Sequence, residues 1–300
     1  MQENNSVVAV IVAYHPDVGL VQAVRSVIGQ VDRVIIYDNS VYDEAEALQV
    51  ASLTAALNSE AAAKLTVLTP GTNAGIGAAL NQGAYLAWLW GGRYLLTMDQ
   101  DSFFPEGGVA RLRKIMAQRP ECAVASPVHS LEGVAYDITL PTHGGQVEVD
   151  TVMTSGNLVD LQSLRLVGGF QDGYFIDCVD HEICLRLRKF GFSIVVDTTL
   201  VMPHRLGAAS SGQAGRFFRP THHAAFRRYY MFRNRVMVYR QYGATATRWV
   251  RRDMLRAGKE VVTIVFAEHQ RLNKLRAVVR GLWDGALNIQ GDTYVRRRER

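Results

Sequence analysis

A chain of 300 residues, 48% of them apolar, is long enough to bury a full core as one large α/β domain with a smaller appendage, and it has no need of disulfide staples. Its three cysteines (Cys122, Cys178, Cys184) form no C-x-x-C pair, and an odd, scattered set predicts reduced packing residues and a cytoplasmic setting. The net charge of +5 is modest but uneven: residues 216–256 hold eleven arginines with Asp253 as the one acid, which predicts either a face that meets membrane headgroups or a lipid diphosphate, or a plain solvated helix face.

The first six residues lack a basic region and run into Val7-Val8-Ala9-Val10-Ile11-Val12, too short for a signal-peptide core with a cleavage site, so this run is read as the first strand. The longest other apolar runs, 84–90 and 261–267, fall far short of the roughly 20 residues of a spanning helix. A soluble or peripheral protein is expected. Residues 7–13, 34–37, 65–68 and 94–98 read as strands that alternate with helix-length segments at 18–28, 45–59 and 75–90, the rhythm of βαβ units around a parallel sheet. Ligands of such sheets sit at the carboxyl ends of the strands. Three polar tripeptides fall there: Tyr14-His15-Pro16, Asp38-Asn39-Ser40 and Asp99-Gln100-Asp101. Short alternating pieces at 134–140 and 146–152 predict antiparallel strands, followed by a helix at 180–190 and a strand at 193–196. From Thr221 the chain reads as helical, in pieces at 222–241, 247–268 and 274–287. The predicted organisation is an α/β domain over 1–220 and a helical region over 221–300.

The most informative segment is Tyr94-Leu95-Leu96-Thr97-Met98-Asp99-Gln100-Asp101-Ser102, where an apolar strand ends in two carboxylates one residue apart. Such a pair can grip magnesium or manganese, hard cations that take a few carboxylates plus phosphate oxygens and water. Taken alone, a turn with an N-cap Asp explains it as well. Asn73-Ala74-Gly75-Ile76-Gly77 places small residues at a helix start, where free backbone N–H groups and close approach suit a phosphate ligand. A dinucleotide fingerprint would need a glycine where Leu80 stands, and would follow the first strand rather than the third, so a nucleotide sugar is preferred to NAD.

Met98-Asp99-Gln100-Asp101-Ser102 resembles the metal motif of the family 2 rhamnosyltransferases, which have the GT-A fold. Agreement continues in Asp38-Asn39-Ser40, Asn73-Ala74-Gly75-Ile76-Gly77, Ser155-Gly156-Asn157, Phe175-Ile176-Asp177-Cys178-Val179-Asp180-His181-Glu182, His204 and Tyr229-Tyr230-Met231-Phe232-Arg233-Asn234, in the family's order over residues 7–240. The resemblance implies an inverting, metal-dependent transferase that moves L-rhamnose from dTDP-L-rhamnose to a saccharide or lipid-linked saccharide in cell-surface polysaccharide assembly, with no nucleic-acid partner. Asp180 becomes the general base, and Asp99, Asp101 and His204 the ligands of a Mg2+ or Mn2+ ion. Tyr14, Asp38, Asn39, Asn73, Gly75, Asp99, Arg205, Arg233 and Asn234 become donor-binding residues, with Asp38 accepting from the pyrimidine ring N–H. Asn157 and Glu182 are assigned to the acceptor.

The chain departs from the family's commoner Glu-Asp-x-Asp pattern, since Val179, Asp180 and Glu182 stand there and only Asp180 keeps both alignment and chemistry. A UDP-sugar donor is the nearest alternative. A nucleotidyltransferase would need a Gly-rich basic loop after the first strand, which Tyr14-His15-Pro16-Asp17 is not. The basic C-terminal helices suggest peripheral membrane contact or a homodimer interface.

Overall fold

The computed structural model of the chain describes residues 5–41, 55, 63–131, 134–135, 145–203 and 223–296. Strands β1 (Val7–Ala13), β2 (Arg33–Asp38), β3 (Leu65–Leu68) and β4 (Tyr94–Asp99) pair in parallel in the order β3-β2-β1-β4. Helices α1 (Val18–Val27) and α2 (Ile76–Leu89) belong to this half, and α3 (Gly108–Gln118) follows β4. The predicted helix at 45–59 lies outside the described residues, apart from Ala55. Asp17 starts α1 as its N-cap, its Oδ1 accepting from the Gly19 N–H at 2.8 Å, the usual way a helix start satisfies a free donor.

The second half is mixed, and two of its strands, at 122–131 and 157–160, lie outside the short alternating pieces. β8 (Asn157–Asp160) runs antiparallel to β4 and to β5 (Cys122–Leu131), and β9 (Ser193–Pro203) runs parallel to β5. The short β6 (Val134–Ala135) and β7 (Gln146–Glu148) add antiparallel pairs to β5 and β9, giving a nine-stranded sheet. β9 is longer than the predicted 193–196 because it stays paired with β5 up to Pro203, register shifts absorbing the mismatch. Residues 136–140 of the predicted strand lie outside the described residues.

Both sheet faces are buried, which is why the central strands read as continuous apolar runs rather than alternating ones. Val7, Ala9 and Ile11 pack with Leu20, Val24, Leu112 and Ile115 of α1 and α3. Val8 and Val10 point the other way, into a core with Leu80 of α2, with α4 (Leu161–Leu166), with α5 (Val179–Lys189) and with the ends of α6 (Ala225–Tyr242) and α7 (Thr247–Ala267). α8 (Arg271–Ala286) lies against α6, and α9 (Thr293–Arg296) follows. The α6–α8 approach is close enough to demand glycine: a Cβ on Gly285 would sit 2.5 Å from the Arg233 carbonyl oxygen.

The arginine-rich stretch is not one solvent-facing stripe. Arg228, Arg233 and Arg235 of α6 are buried. Arg228 pairs with Glu268 at 2.5 Å and with Glu260 at 3.2 Å, while Arg235 pairs with Glu260 at 2.6 Å and with Asp253 at 3.1 Å. Lys274 completes the network on Glu268 at 2.7 Å. These charges bind α6 to α7 and α8, and only Arg248, Arg251, Arg252 and Arg256 are left on the exposed side of α7.

Candidate active site

The carboxyl ends of β1, β2 and β4 meet at one edge of the sheet. Ala13 is in register with Asp38, and Val12 with Asp99. The loop after β1 is pinned to both neighbours: Gln100 accepts from the Tyr14 N–H at 2.7 Å and donates back to the Tyr14 carbonyl at 3.2 Å, and Ser40 Oγ accepts from the His15 N–H at 2.6 Å. Tyr14 stays exposed, its ring edge-on to His15. The turn that carries the paired carboxylates is held from below by Ser155, whose Oγ accepts from the Asp99 N–H at 3.0 Å and donates to Ser102 Oγ at 2.8 Å. His129 reaches the Ser155 carbonyl at 2.7 Å.

Asp180 arrives from the opposite side, in the first turn of α5. The loop that feeds this helix is strained: Phe175, Asp177 and Cys178 all have φ between 62° and 64°, a region non-glycine residues rarely enter, and one that persists only where surrounding structure enforces it. α6 does the enforcing. Asn234 Nδ2 donates to the carbonyls of Tyr174, Ile176 and Asp177 at 2.8–2.9 Å, and the Arg233 guanidinium donates to those of Gly173, Tyr174 and Gly291 at 2.6–3.0 Å. On its other side the loop takes the first N–H of α2, Ile76 donating to the Phe175 carbonyl at 2.7 Å.

Asp99, Asp101, Asp177, Asp180 and Arg227 share one electrostatic environment. Burial, then the Asp101 and Asp180 carboxylates, push Asp99 up to about 7 against the pull of Arg227. Arg227 grips Asp177 from α6, Nη2 to Oδ1 at 3.1 Å. Burial raises Asp177 above the ordinary carboxylate value, and Arg227 opposes that rise.

Several expected ligand contacts give way to structural ones. Arg233 and Asn234 are fully buried and spent on the 173–178 loop, so neither clamps a diphosphate. Glu182 is fully buried between Arg186 (2.7 Å) and the Tyr242 hydroxyl (2.6 Å), out of reach of an acceptor. Asn39 closes the Asn73–Gly75 turn, accepting from the Ala74 N–H and donating to the Gly75 carbonyl, both at 3.2 Å. Asn73 accepts from the Gly75 N–H at 3.0 Å. Gly75, with φ 86°, is required because a Cβ would sit 2.6 Å from the Phe175 carbonyl oxygen, so this chain's own loop is a close partner. Asp38 is buried, and its Oδ1 accepts from the Ser40 N–H (3.0 Å) and Oγ (2.6 Å), so reading a nucleobase requires that turn to open. Asn157 is buried beneath the strand ends, donating to the Met153 carbonyl at 2.6 Å. His204 and Arg205 lie outside the described residues.

Arg227, Asp177 and Ser155 are the site residues that sequence reasoning did not assign. Ser155 and Asp177 stand inside recognised strings, but nothing in the order of eleven arginines marks Arg227 as the one that faces the carboxylates.

Burial first, then the Asp101 and Asp180 charges, raise Asp99 against the pull of Arg227, and a hard divalent cation is the kind of charge that relieves such an acidic surrounding. Among the described residues no three His, Cys, Asp or Glu side chains are arranged to hold a metal ion by themselves, so the binding set would need substrate oxygens or a residue outside them. A pH dependence follows. With its pKa raised in the fold, Asp99 is harder to ionise there than in the unfolded chain. The metal-free protein therefore loses stability as pH rises from the ordinary carboxylate value near 3.8 to about 7. Asp99→Asn should flatten this arm, as thermal melts of the metal-free protein across that range will read.

The chain resembles known proteins in sequence and in fold. Residues 8–149 match the model of glycosyl transferase family 2. The chain is 23% identical over 257 residues to the dTDP-rhamnosyl transferase RfbF of Shigella flexneri, covering 79% of this chain and 81% of that protein. Among solved structures it resembles GalNAc-T7, solved with UDP, GalNAc and Mn2+, at TM-score 0.63 and 13% identity over 83% of this chain and 50% of that one. It also resembles S. aureus TarS 1–349 in complex with UDP-GlcNAc, at TM-score 0.52 and 13% identity over 94% of this chain and 73% of that one. The chain spans half of the GalNAc-T7 chain, and these likenesses concern the fold, which is GT-A with added C-terminal helices. Residues 8–149 thus resemble glycosyl transferase family 2, and most of the chain resembles a dTDP-rhamnosyl transferase in sequence.

Proposed function

We infer that the protein moves L-rhamnose from dTDP-L-rhamnose to a saccharide or lipid-linked saccharide, with inversion at the anomeric carbon, on the cytoplasmic side of the membrane during cell-surface polysaccharide synthesis. The observation that carries the reading is the meeting of Asp99 and Asp101 at a strand end with Asp180 at a helix start. The donor rests on the 23% identical relative, itself a dTDP-rhamnosyl transferase.

Asp180 takes the proton of the acceptor hydroxyl while that oxygen attacks the anomeric carbon from the face opposite the diphosphate. The new bond joins the anomeric carbon to the acceptor oxygen, the old bond to the phosphate oxygen breaks, and dTDP leaves. Asp99 and Asp101, with His204, would hold a Mg2+ or Mn2+ ion, whose chemistry is to neutralise the charge gathering on the diphosphate. Arg227 stands beside these acids and supplies a guanidinium for the same charge. Tyr14 offers an exposed ring at the end of β1 for the nucleoside. Residues 1–220 then carry donor and chemistry, and 221–300 brace the site and face the acceptor.

The test is a transfer assay with dTDP-rhamnose, UDP-galactofuranose and UDP-hexosamines, each with manganese or with chelator, and proton NMR of the product. Manganese-dependent release of dTDP with an inverted linkage is expected. Turnover of UDP-sugars alone would reassign the donor, and a retained configuration would remove Asp180 from its role.

A further inference from the structure

The outer faces of α7 and α8 repeat one pattern. Leu255, Lys259, Val262 and Phe266 follow at i, i+4, i+7 and i+11 on α7, and Leu272, Arg276, Val279 and Trp283 do the same on α8; all eight side chains are exposed. Leu255 and Phe266 are each 76% exposed, Leu272 71% and Trp283 67%. Arg248, Arg251, Arg252, Arg256 and Arg271 flank these stripes, also exposed. The acids of the region turn inward: Asp253 and Glu260 bind Arg235, Glu268 binds Arg228 and Lys274, and Asp284 accepts from the Tyr229 hydroxyl at 2.6 Å. From 243 to 287 the exposed surface thus carries cations and large apolar groups and no unpaired carboxylate.

We propose that this surface docks the protein on an anionic phospholipid bilayer, with α7 and α8 lying in the headgroup layer. Leucine, phenylalanine and tryptophan interleaved with lysine and arginine is the composition of an interfacial helix, apolar side chains entering the acyl boundary while cations meet lipid phosphates. A second copy of the chain suits it poorly, since a two-fold interface would bring this cationic face against itself. Nucleic acid would satisfy the arginines but offers the exposed leucines no apolar phase. No described helix is long and apolar enough to cross a membrane, so the arrangement is surface attachment. The proposal is independent of donor and acceptor identity.

Flotation of the full-length protein with vesicles of phosphatidylglycerol and phosphatidylcholine, or of phosphatidylcholine alone, tests it. Binding to the anionic vesicles only, weakening with salt, is the expected result. Neutralising Arg251, Arg252 and Arg256 together as glutamine should weaken partitioning about a hundredfold, at roughly fivefold per cation. Leu255→Ser with Phe266→Ser, which removes exposed side chains and no charge, should also weaken binding, and Trp283 emission should shift to the blue on vesicles. Failure to bind anionic vesicles at low salt would overturn the proposal. So would an unshifted Trp283, or a dimer in solution that the Leu255→Ser/Phe266→Ser variant dissociates.

Discussion

Asp180→Asn should lower turnover by about 10²–10⁴-fold while leaving donor binding intact, the range that general-base assistance typically contributes. Asp180 lies in the first turn of α5, where its Oδ1 accepts from the His181 N–H at 2.8 Å. Asparagine fills the same space and can accept that bond but cannot take the acceptor's proton. Single-turnover kinetics beside calorimetric donor binding separate the two quantities. Unchanged turnover would remove Asp180 as base and direct attention to Asp177, the other carboxylate of the same loop.

Glu182→Ala should destabilise the fold by about 3–5 kcal/mol, the usual cost of removing one partner from a buried charge pair. Its carboxylate is fully buried and joins Arg186 to Tyr242, and Arg186 in turn donates to the Val167 and Gly169 carbonyls at 2.7 and 2.6 Å. The alanine variant would leave a partly buried guanidinium and a buried hydroxyl without their shared acceptor. Urea denaturation reads the loss, and Glu182→Gln, which keeps an acceptor oxygen, should lose much less. A normal midpoint combined with a raised acceptor KM would return Glu182 to the acceptor site.

These two carboxylates, two residues apart, show what a sequence can and cannot disclose. Strand ends were legible because the parallel half of the sheet buries both faces and writes uninterrupted apolar runs, so the acids that follow, Asp38 and Asp99, stand out at their boundaries. The rhythm read as a parallel α/β sheet, and the resemblance carried by the ordered motifs implied the GT-A architecture. Side-chain direction was not legible. Asp180 and Glu182 differ by about 200° around α5, which points one toward Asp99 and the other into the core. Arg233 and Asn234 carry the polar chemistry of a phosphate clamp, yet three carbonyls of a loop some 60 residues earlier claim Asn234 alone. The positive φ values of Phe175, Asp177 and Cys178 explain why, because a strained loop needs donors to hold it and no propensity announces that strain. Gly75 carried a signal of close approach, and the backbone that approaches it belongs to Phe175.

On the proposed function, the carboxylates at the end of β4 bind donor through a divalent cation. Calorimetric titration of dTDP-rhamnose into the full chain, with manganese and with chelator, and repeated with Asp101→Asn, tests it most directly. Tight binding with manganese that weakens sharply in chelator and in the variant is expected. Equal binding under all three conditions would contradict it.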